Sequence, residues 1–332
     1  MKLRTATAIA FPNIAFIKYW GDRDSVLHIP ANGSISMNLG DLQTHTRVIF
    51  DQKLTRDEFF LNGSKKEGFE LKRVGIILDQ ARKLSNQNLF AHIDSQNNFP
   101  TGVGIASSAS GFAALSMAAS YAAGLQLTEA QLSRLARHGS GSACRSVPDG
   151  FVEWLAGDDD ASSYAVSIAD QKHWDLIDCI AVVDQTKKTI SSIDGHFIAR
   201  SSPLQDARVQ GSQARLELCR RAIKQRDFEH LAQISELDSN MMHAIMLTSS
   251  PSLIYWEPAT ISIMKAIPIW RKEGLPVFYT IDAGPNVHVI CIEEFKEDVQ
   301  KLIFEIPGVQ EVITSRVGGA AKCIEYSSLA GS

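Results

Sequence analysis

The run GIASSASGFAALSMAASYAAG at residues 104–124 sets small side chains at most positions of one long segment. Alanine and serine have little side-chain freedom to lose, so the run predicts a helix over 107–123, ended by Gly124. A helix this poor in large side chains has to pack tightly against its neighbours. Gly102 and Gly104 precede it, and Ser107, Ser108 and Ser110 open it. Backbone N–H groups at a helix start, with hydroxyls beside them, suit a phosphate. No GK[ST] follows, and the pattern is not GxGxxG. Phosphate binding and a closely packed helix start both remain open on these residues alone.

The rest of the chain mixes both kinds of element. Residues 4–20 and 34–50 read as strands separated by the turn signal PANGS. Asn62-Gly63 predicts a hairpin, residues 70–85 a helix, and LFAHIDSQNNF a strand and loop. Thr128 is placed to cap a helix over 128–138. DLIDCIAVVD reads as a buried strand, 205–226 and 228–247 as two long helices, and SIMKAIPIWRKEG as another. PVFYTIDAGPNVHVICI reads as strand, turn and strand. No βαβ period recurs, so the expected class is α+β. A chain of 332 residues is long for one core, which points to two lobes with a boundary within 180–205.

A net charge of −4, from 33 basic against 37 acidic residues, argues against a broad nucleic-acid surface. Any anionic ligand has to be met by a few focused cations. The five cysteines form no CxxC pair, so neither a zinc site nor a disulfide framework is expected, and a reduced cytoplasmic setting fits. The first residues are too polar for a signal peptide, and no apolar run is long enough to span a membrane.

Three stretches carry candidate chemistry. NIAFIKYWGDRD carries one lysine, Lys18, in an apolar run; a snorkelling side chain at a strand edge is the plainer reading. GSGSACRS holds Arg145 in a Gly/Ser loop, where it can meet a carboxylate or phosphate bidentately, or simply be solvated. Asp282 in TIDAGPNVHV either caps the Gly-Pro turn or acts as a general base. The nine histidines form no metal-ligand spacing, and the acids at 158–160 read as a solvated loop.

Taken together, PNIAFIKYWG, FPTGVGIASSASGFAAL, GSGSACRS, GFVEW, SSPSLIYW and TIDAGPNV resemble, in order, the mevalonate diphosphate decarboxylases of the GHMP kinase superfamily. The resemblance covers nearly the whole chain. It implies a two-lobed GHMP-kinase-like fold with the active site in the inter-lobe cleft. It also implies an N-terminal ATP-binding lobe at 1–190 and a GHMP-type lobe at 191–332. The implied reaction uses ATP and Mg²⁺ to phosphorylate the 3-hydroxyl of a 5-phosphorylated mevalonate, after which phosphate and CO₂ leave. Asp282 matches the acid that orients or deprotonates that hydroxyl, Lys18 the lysine beside it, and Asn13 and Tyr19 the same wall. Ser142 and Arg145 match the pair that holds the substrate carboxylate, with Ser140 next to them. Gly104, Ser107, Ser108 and Ser110 match the ATP phosphate loop. Arg82 and Arg200 match more loosely, as arginines near the substrate phosphate. Family members are commonly homodimers, and nothing suggests a nucleic-acid or membrane partner.

Two departures bear on the substrate. Where the family usually reads KYWGK, this chain has Asp22, and Pro148-Asp149 replaces a usual tyrosine-glycine. Lysine to aspartate changes the local charge by two units. Each unit is worth about 3 kcal/mol at roughly 6 Å and an effective dielectric of about 20, less where water screens it. The change disfavours a diphosphate more than a monophosphate, so the reading favours mevalonate 5-phosphate, giving isopentenyl phosphate. The alternative is that Asp22 pairs with Arg23 at the surface and the substrate is the diphosphate. Further alternatives are a 3-kinase without decarboxylation and a non-catalytic ligand sensor.

Overall fold

The computed structural model describes residues 4–99, 107–185 and 192–328. Its strands form three sheets and a short ribbon. The first sheet runs β16 (Lys322–Ser328), β1 (Arg4–Ala10), β6 (Thr44–Asp51), β9 (Phe90–Asn97), β7 (Glu58–Leu61) and β8 (Ser64–Lys66). The second runs β11 (Tyr164–Ala169), β10 (Phe151–Leu155), β5 (Ser34–Asn38) and β2 (Asn13–Ile17). The third runs β13 (Val277–Thr280), β14 (Val287–Ile292), β12 (Leu176–Val182) and β15 (Glu311–Arg316). The ribbon pairs β3 (Asp22–Asp24) with β4 (Ile29–Pro30). A division at residue 190 does not coincide with these sheets. β12 already belongs to the third, and β16 returns to pair with β1.

Most expected elements form where the residues call for them. α1 spans Phe69–Ser85 and α2 spans Ser107–Ala122. The alanines of α2 share a core with Ala6, Ala8 and Ala10 of β1, so small side chains on both partners bring helix and sheet close. Gly124 follows with φ 78°, a left-handed conformation that suits glycine. α3 (Glu129–Gly139) starts on a capping box between Thr128 and Gln131. At the β7–β8 turn, Asn62 and Gly63 take φ 49° and 75°, the two positive values of a type I′ hairpin.

The remaining helices are α4 (Ser192–Ile198), α5 (Gln205–Gln210), α6 (Ser212–Gln225), α7 (Phe228–Thr248), α8 (Pro258–Lys272) and α9 (Lys296–Phe304). The helix expected over 205–226 is thus two. A Cβ at Gly211 would stand 2.8 Å from Arg215 Nη1, so the Arg215 guanidinium occupies that space, and its Nη2 donates to the Arg208 carbonyl at 2.6 Å. The acids at 158–160 also differ from expectation. Asp160 bonds Arg134 at 2.5 Å, Arg137 at 2.5 Å and His138 at 2.6 Å, so it anchors its loop to α3. No described helix is long and apolar enough to cross a membrane.

The second and third sheets face each other. Ile14, Phe16, Ile35 and Met37 meet Ile180, Phe278 and Ile290 in one core. The Thr280 hydroxyl adds a 2.8 Å bond to the Ala15 carbonyl. The alternate residues of β5, Ser34, Ser36 and Asn38, point to the other face and are fully buried. A polar strand face without solvent needs polar partners, and the candidate site supplies them.

Candidate active site

Lys18 and Asp282 come together from opposite ends of the chain. Lys18 follows the end of β2 and is 1% exposed, while Asp282 lies just past β13 with its side chain 33% exposed. Lys18 Nζ donates to Asp282 Oδ1 at 2.6 Å. The lysine does not snorkel, and the Asp282 backbone carbonyl closes the Gly-Pro turn by accepting the Gly284 N–H at 2.7 Å, which leaves the carboxylate to Lys18. Burial pushes the Lys18 ammonium below its ordinary value, against the opposing pull of Asp282. Burial would raise the Asp282 carboxyl, but Lys18, with His288 and Arg145, draws it below the usual carboxylate range.

Arg145 lies in the 3₁₀ turn Gly141–Ser146 and is 4% exposed. Its Nε donates to Asn13 Oδ1 and Ser36 Oγ, both at 3.1 Å, and its terminal nitrogens reach Asn13 at 3.0 Å and Ser34 at 2.5 Å. Asn13 in turn donates to Ser146 Oγ at 2.8 Å and to the Ser142 carbonyl at 3.2 Å. The Arg145 guanidinium makes no ion pair among the described residues, so its charge is balanced only at longer range. A buried cation solvated by neutral groups is a prepared seat for an anion.

Tyr19 and Asp22 form the adjoining wall. The Tyr19 hydroxyl donates to Asp22, whose other oxygen lies 3.6 Å from His28 Nδ1. Asp22 is 7% exposed and does not pair with Arg23 at the surface, so that expectation is corrected. Arg23 instead donates to the Pro30 carbonyl at 3.0 Å and lies 3.6 Å from Asp158. Burial pushes the Asp22 carboxyl up; His28, His196 and the Tyr19 hydroxyl outweigh it and hold it low. His196 stacks on Tyr19 with ring centroids 4.0 Å apart. Burial drives the His196 imidazole down to about 4, and its Nδ1 accepts from the Gly21 N–H at 3.0 Å. Arg200 is exposed and donates to the Asp22 carbonyl at 2.5 Å, which brings it to the rim of this wall.

Ser107 and Ser108 line a separate recess, together with Arg73, Phe112 and Asn97. Its floor is apolar, from Phe59, Leu61, Val74, Ile93 and Leu115. Ser108 Oγ lies 3.3 Å from Ser140 Oγ, so this recess adjoins the Arg145 loop. Ser110 is fully buried and bonds Thr44 Oγ1 at 2.6 Å, behind the lining. Gly104 falls outside the described residues.

Arg82 does not join these groups. On the last turn of α1 it pairs with Asp57 and, at 2.8 Å, with Asp79; it donates to the Leu89 carbonyl and lies 5.8 Å from the rings of Phe50 and Phe90. With its donors engaged there, its expected place at the substrate phosphate is corrected. The α1 arginine at the recess is Arg73, whose guanidinium lies 4.6 Å from the centre of the Phe112 ring. Ser34, Ser36, Ser146 and Arg73 were missed from the sequence. The alternation of Ser34, Ser36 and Asn38 in β5 was a readable signal, because a polar strand face next to an anion site faces that site.

Known proteins share this arrangement of the chain. Residues 10–165 match the diphosphomevalonate decarboxylase-like N-terminal domain, and 179–327 the mevalonate 5-diphosphate decarboxylase C-terminal domain. The diphosphomevalonate decarboxylase of Ganoderma lucidum is 38% identical over 91% of this chain and 82% of its own. The phosphomevalonate decarboxylase of Haloferax volcanii is 32% identical over 97% and 98%. A solved structure described as MDDEF in complex with MVAPP, AMPPCP and magnesium superposes with a TM-score of 0.91 at 35% identity, over 97% of this chain and 99% of that one. With the two-lobed mixed fold of the GHMP kinases and this coverage, the chain belongs to the diphosphomevalonate decarboxylase family of enzymes.

Proposed function

We propose that this enzyme converts mevalonate 5-phosphate to isopentenyl phosphate, with ATP as the phosphoryl donor. The γ-phosphoryl passes to the tertiary 3-hydroxyl; the 3-phosphate then leaves as the bond to the carboxylate breaks, releasing CO₂ and forming the double bond. A tertiary hydroxide leaves poorly and a phosphate well, which is the reason for the first step. In this reading Arg145, held by Asn13, Ser34 and Ser36, receives the substrate carboxylate. Ser140 and Ser142 border it.

Asp282 faces the 3-hydroxyl. Its low pKa makes it a weak base, but phosphoryl transfer through a loose transition state calls mainly for orientation. Asp282 therefore aligns the hydroxyl and takes its proton late, while Lys18 offsets charge that develops beside it. The recess of Ser107, Ser108, Arg73 and Phe112 suits a nucleotide: apolar walls for a base and hydroxyls for phosphate. Magnesium supplies charge neutralisation of the phosphates. The hard hydroxyl oxygens of Ser107 and Ser108 fit such an ion, and the described residues hold no cluster of three acidic or histidine ligands, so most ligands would come from the nucleotide and water.

The observation that carries the monophosphate reading is the buried Asp22 carboxylate, kept anionic and joined to the Tyr19 hydroxyl. It places negative charge, and engages a donor, where the family usually has a lysine. The diphosphate is the second reading, supported by the name of the Ganoderma relative. ATP-dependent CO₂ release, run side by side on mevalonate 5-phosphate and mevalonate 5-diphosphate, separates them. Faster turnover of the monophosphate is expected; equal or faster turnover of the diphosphate overturns the proposal. ATP consumption without CO₂ would indicate a 3-kinase, and none with either substrate a ligand sensor.

A further inference from the structure

β2 ends at Ile17, after a bulge between Ala15 and Ile17, so the Lys18 peptide has no ladder partner. Buried side chains take its place. Asp238 of α7 accepts the Lys18 N–H at 2.7 Å. The Lys18 carbonyl accepts from Arg208 of α5 at 2.8 Å and from Asn32 at 3.1 Å. These groups also hold one another: Arg208 reaches Asn32 Oδ1 at 3.1 Å, and Arg215 of α6 bonds the second Asp238 oxygen at 2.6 Å. Asp238 is fully buried, Arg208 1% exposed and Asn32 4%.

Charged groups on a peptide N–H and C=O form stronger bonds than a neutral ladder does. They leave the Lys18 main chain little room to shift, and the ammonium meets Asp282 at the end of a flexible four-carbon stem. We propose that Asp238, Arg208 and Asn32 are positioning residues of the reaction, clamping both polar groups of the Lys18 peptide so that its ammonium is set against Asp282. The inference rests on the reading of Lys18 and Asp282 as the catalytic pair.

The clamp also acts on charge. The ionisable groups that act on or respond to Lys18 are Asp282, Asp238 and His243 of α7, Asp178 of β12, and Arg145. Asp238 is one of those that favour the protonated ammonium. Removing its charge lowers the pH at which Lys18 loses its proton.

The test measures Asp238→Asn and Asn32→Leu in the full-length enzyme, with kcat per folded active site, both KM values, the pH profile and thermal melting. Expected for Asp238→Asn is a fall in kcat of about tenfold to a hundredfold. The KM for ATP stays unchanged, and the alkaline limb of kcat moves to lower pH. Asn32→Leu lowers kcat without moving that limb. A lower melting temperature with parental kcat and pH profile would overturn the proposal. If Asp238→Asn does not fold, Asn32→Leu decides alone, and parental kcat there is the overturning result. Asp282→Asn is run alongside: retained turnover in that variant would refute the catalytic-pair reading itself, whatever the clamp variants do.

Discussion

The Lys18 ammonium lies 2.6 Å from the Asp282 carboxylate across 264 residues of sequence, with the lysine buried and the acid partly exposed. In the proposed mechanism this pairing leaves Asp282 to orient the hydroxyl rather than act as a strong base, and it sets how the activity should depend on pH. The carboxyl is held below its ordinary value of about 3.9. Activity should therefore persist through mildly acid pH, with the acid limb of kcat set below that value. Asp282→Asn should lower kcat by on the order of a hundredfold or more. A limb near pH 6 in the parent would contradict this account.

Arg145→Gln removes the buried cation but leaves Asn13, Ser34 and Ser36 around its place. Loss of a charge-assisted carboxylate contact predicts a rise of tenfold or more in KM for the phosphorylated mevalonate, with KM for ATP unchanged. At a hundred times the parent's substrate Kd the parent should gain about 2.7 kcal/mol of thermal protection, and a variant with Kd raised tenfold only about 1.4 kcal/mol. Differential scanning calorimetry with and without substrate checks this.

Gly139 fixes the Phe112 ring at the wall of the recess. A Cβ there would fall 2.1 Å from the ring, so Gly139→Ala has to displace it. Overpacking predicts about 1–3 kcal/mol of lost stability and a weaker ATP complex. KM for the phosphorylated mevalonate should change less than KM for ATP. Steady-state kinetics with each substrate varied in turn reads the difference.

Asp160 joins Arg134, Arg137 and His138, and Arg137 is fully buried. Asp160→Asn should cost roughly 1–3 kcal/mol at neutral pH. Burial pushes the Asp160 carboxyl up, but His138, Arg134 and Arg137 outweigh it and take it far below its usual range. A lowered folded-state pKa stabilises fully above the unfolded value and loses that contribution as pH falls toward the folded one. The gap between parent and variant in urea unfolding should therefore be constant from pH 7 to about pH 5 and shrink below about pH 4.

Several of the candidate residues were named before any coordinates. Lys18 stood out because an apolar run seldom holds a charge, while Arg145 and Asp282 had plainer readings of their own and were singled out by the family resemblance. The hairpin at Asn62, the capped helix at Thr128 and the small-residue helix after residue 106 follow from local rules, and they form accordingly. What local rules could not supply is long-range pairing. Arg82 and Arg73 lie on one helix, and only the packing of α1 shows which of them lines the recess. Asp238, Arg208 and Arg215 sit in a stretch that reads as ordinary helix. Asp238 and Arg208 meet the Lys18 main chain across 220 and 190 residues, Arg215 only by way of them, and no spacing in the sequence records those contacts. Asp160 looked solvated for the same reason, since its three partners all lie on α3.

The most direct test of the account is the ratio of kcat/KM for mevalonate 5-phosphate to that for mevalonate 5-diphosphate, measured in the parent and in Asp22→Lys. A ratio above one in the parent, falling by at least tenfold in the variant, is the predicted result: reversing the charge moves the balance toward the diphosphate. A parent ratio at or below one, or a variant that leaves it unchanged, would contradict the assignment of Asp22 as the residue that selects the substrate.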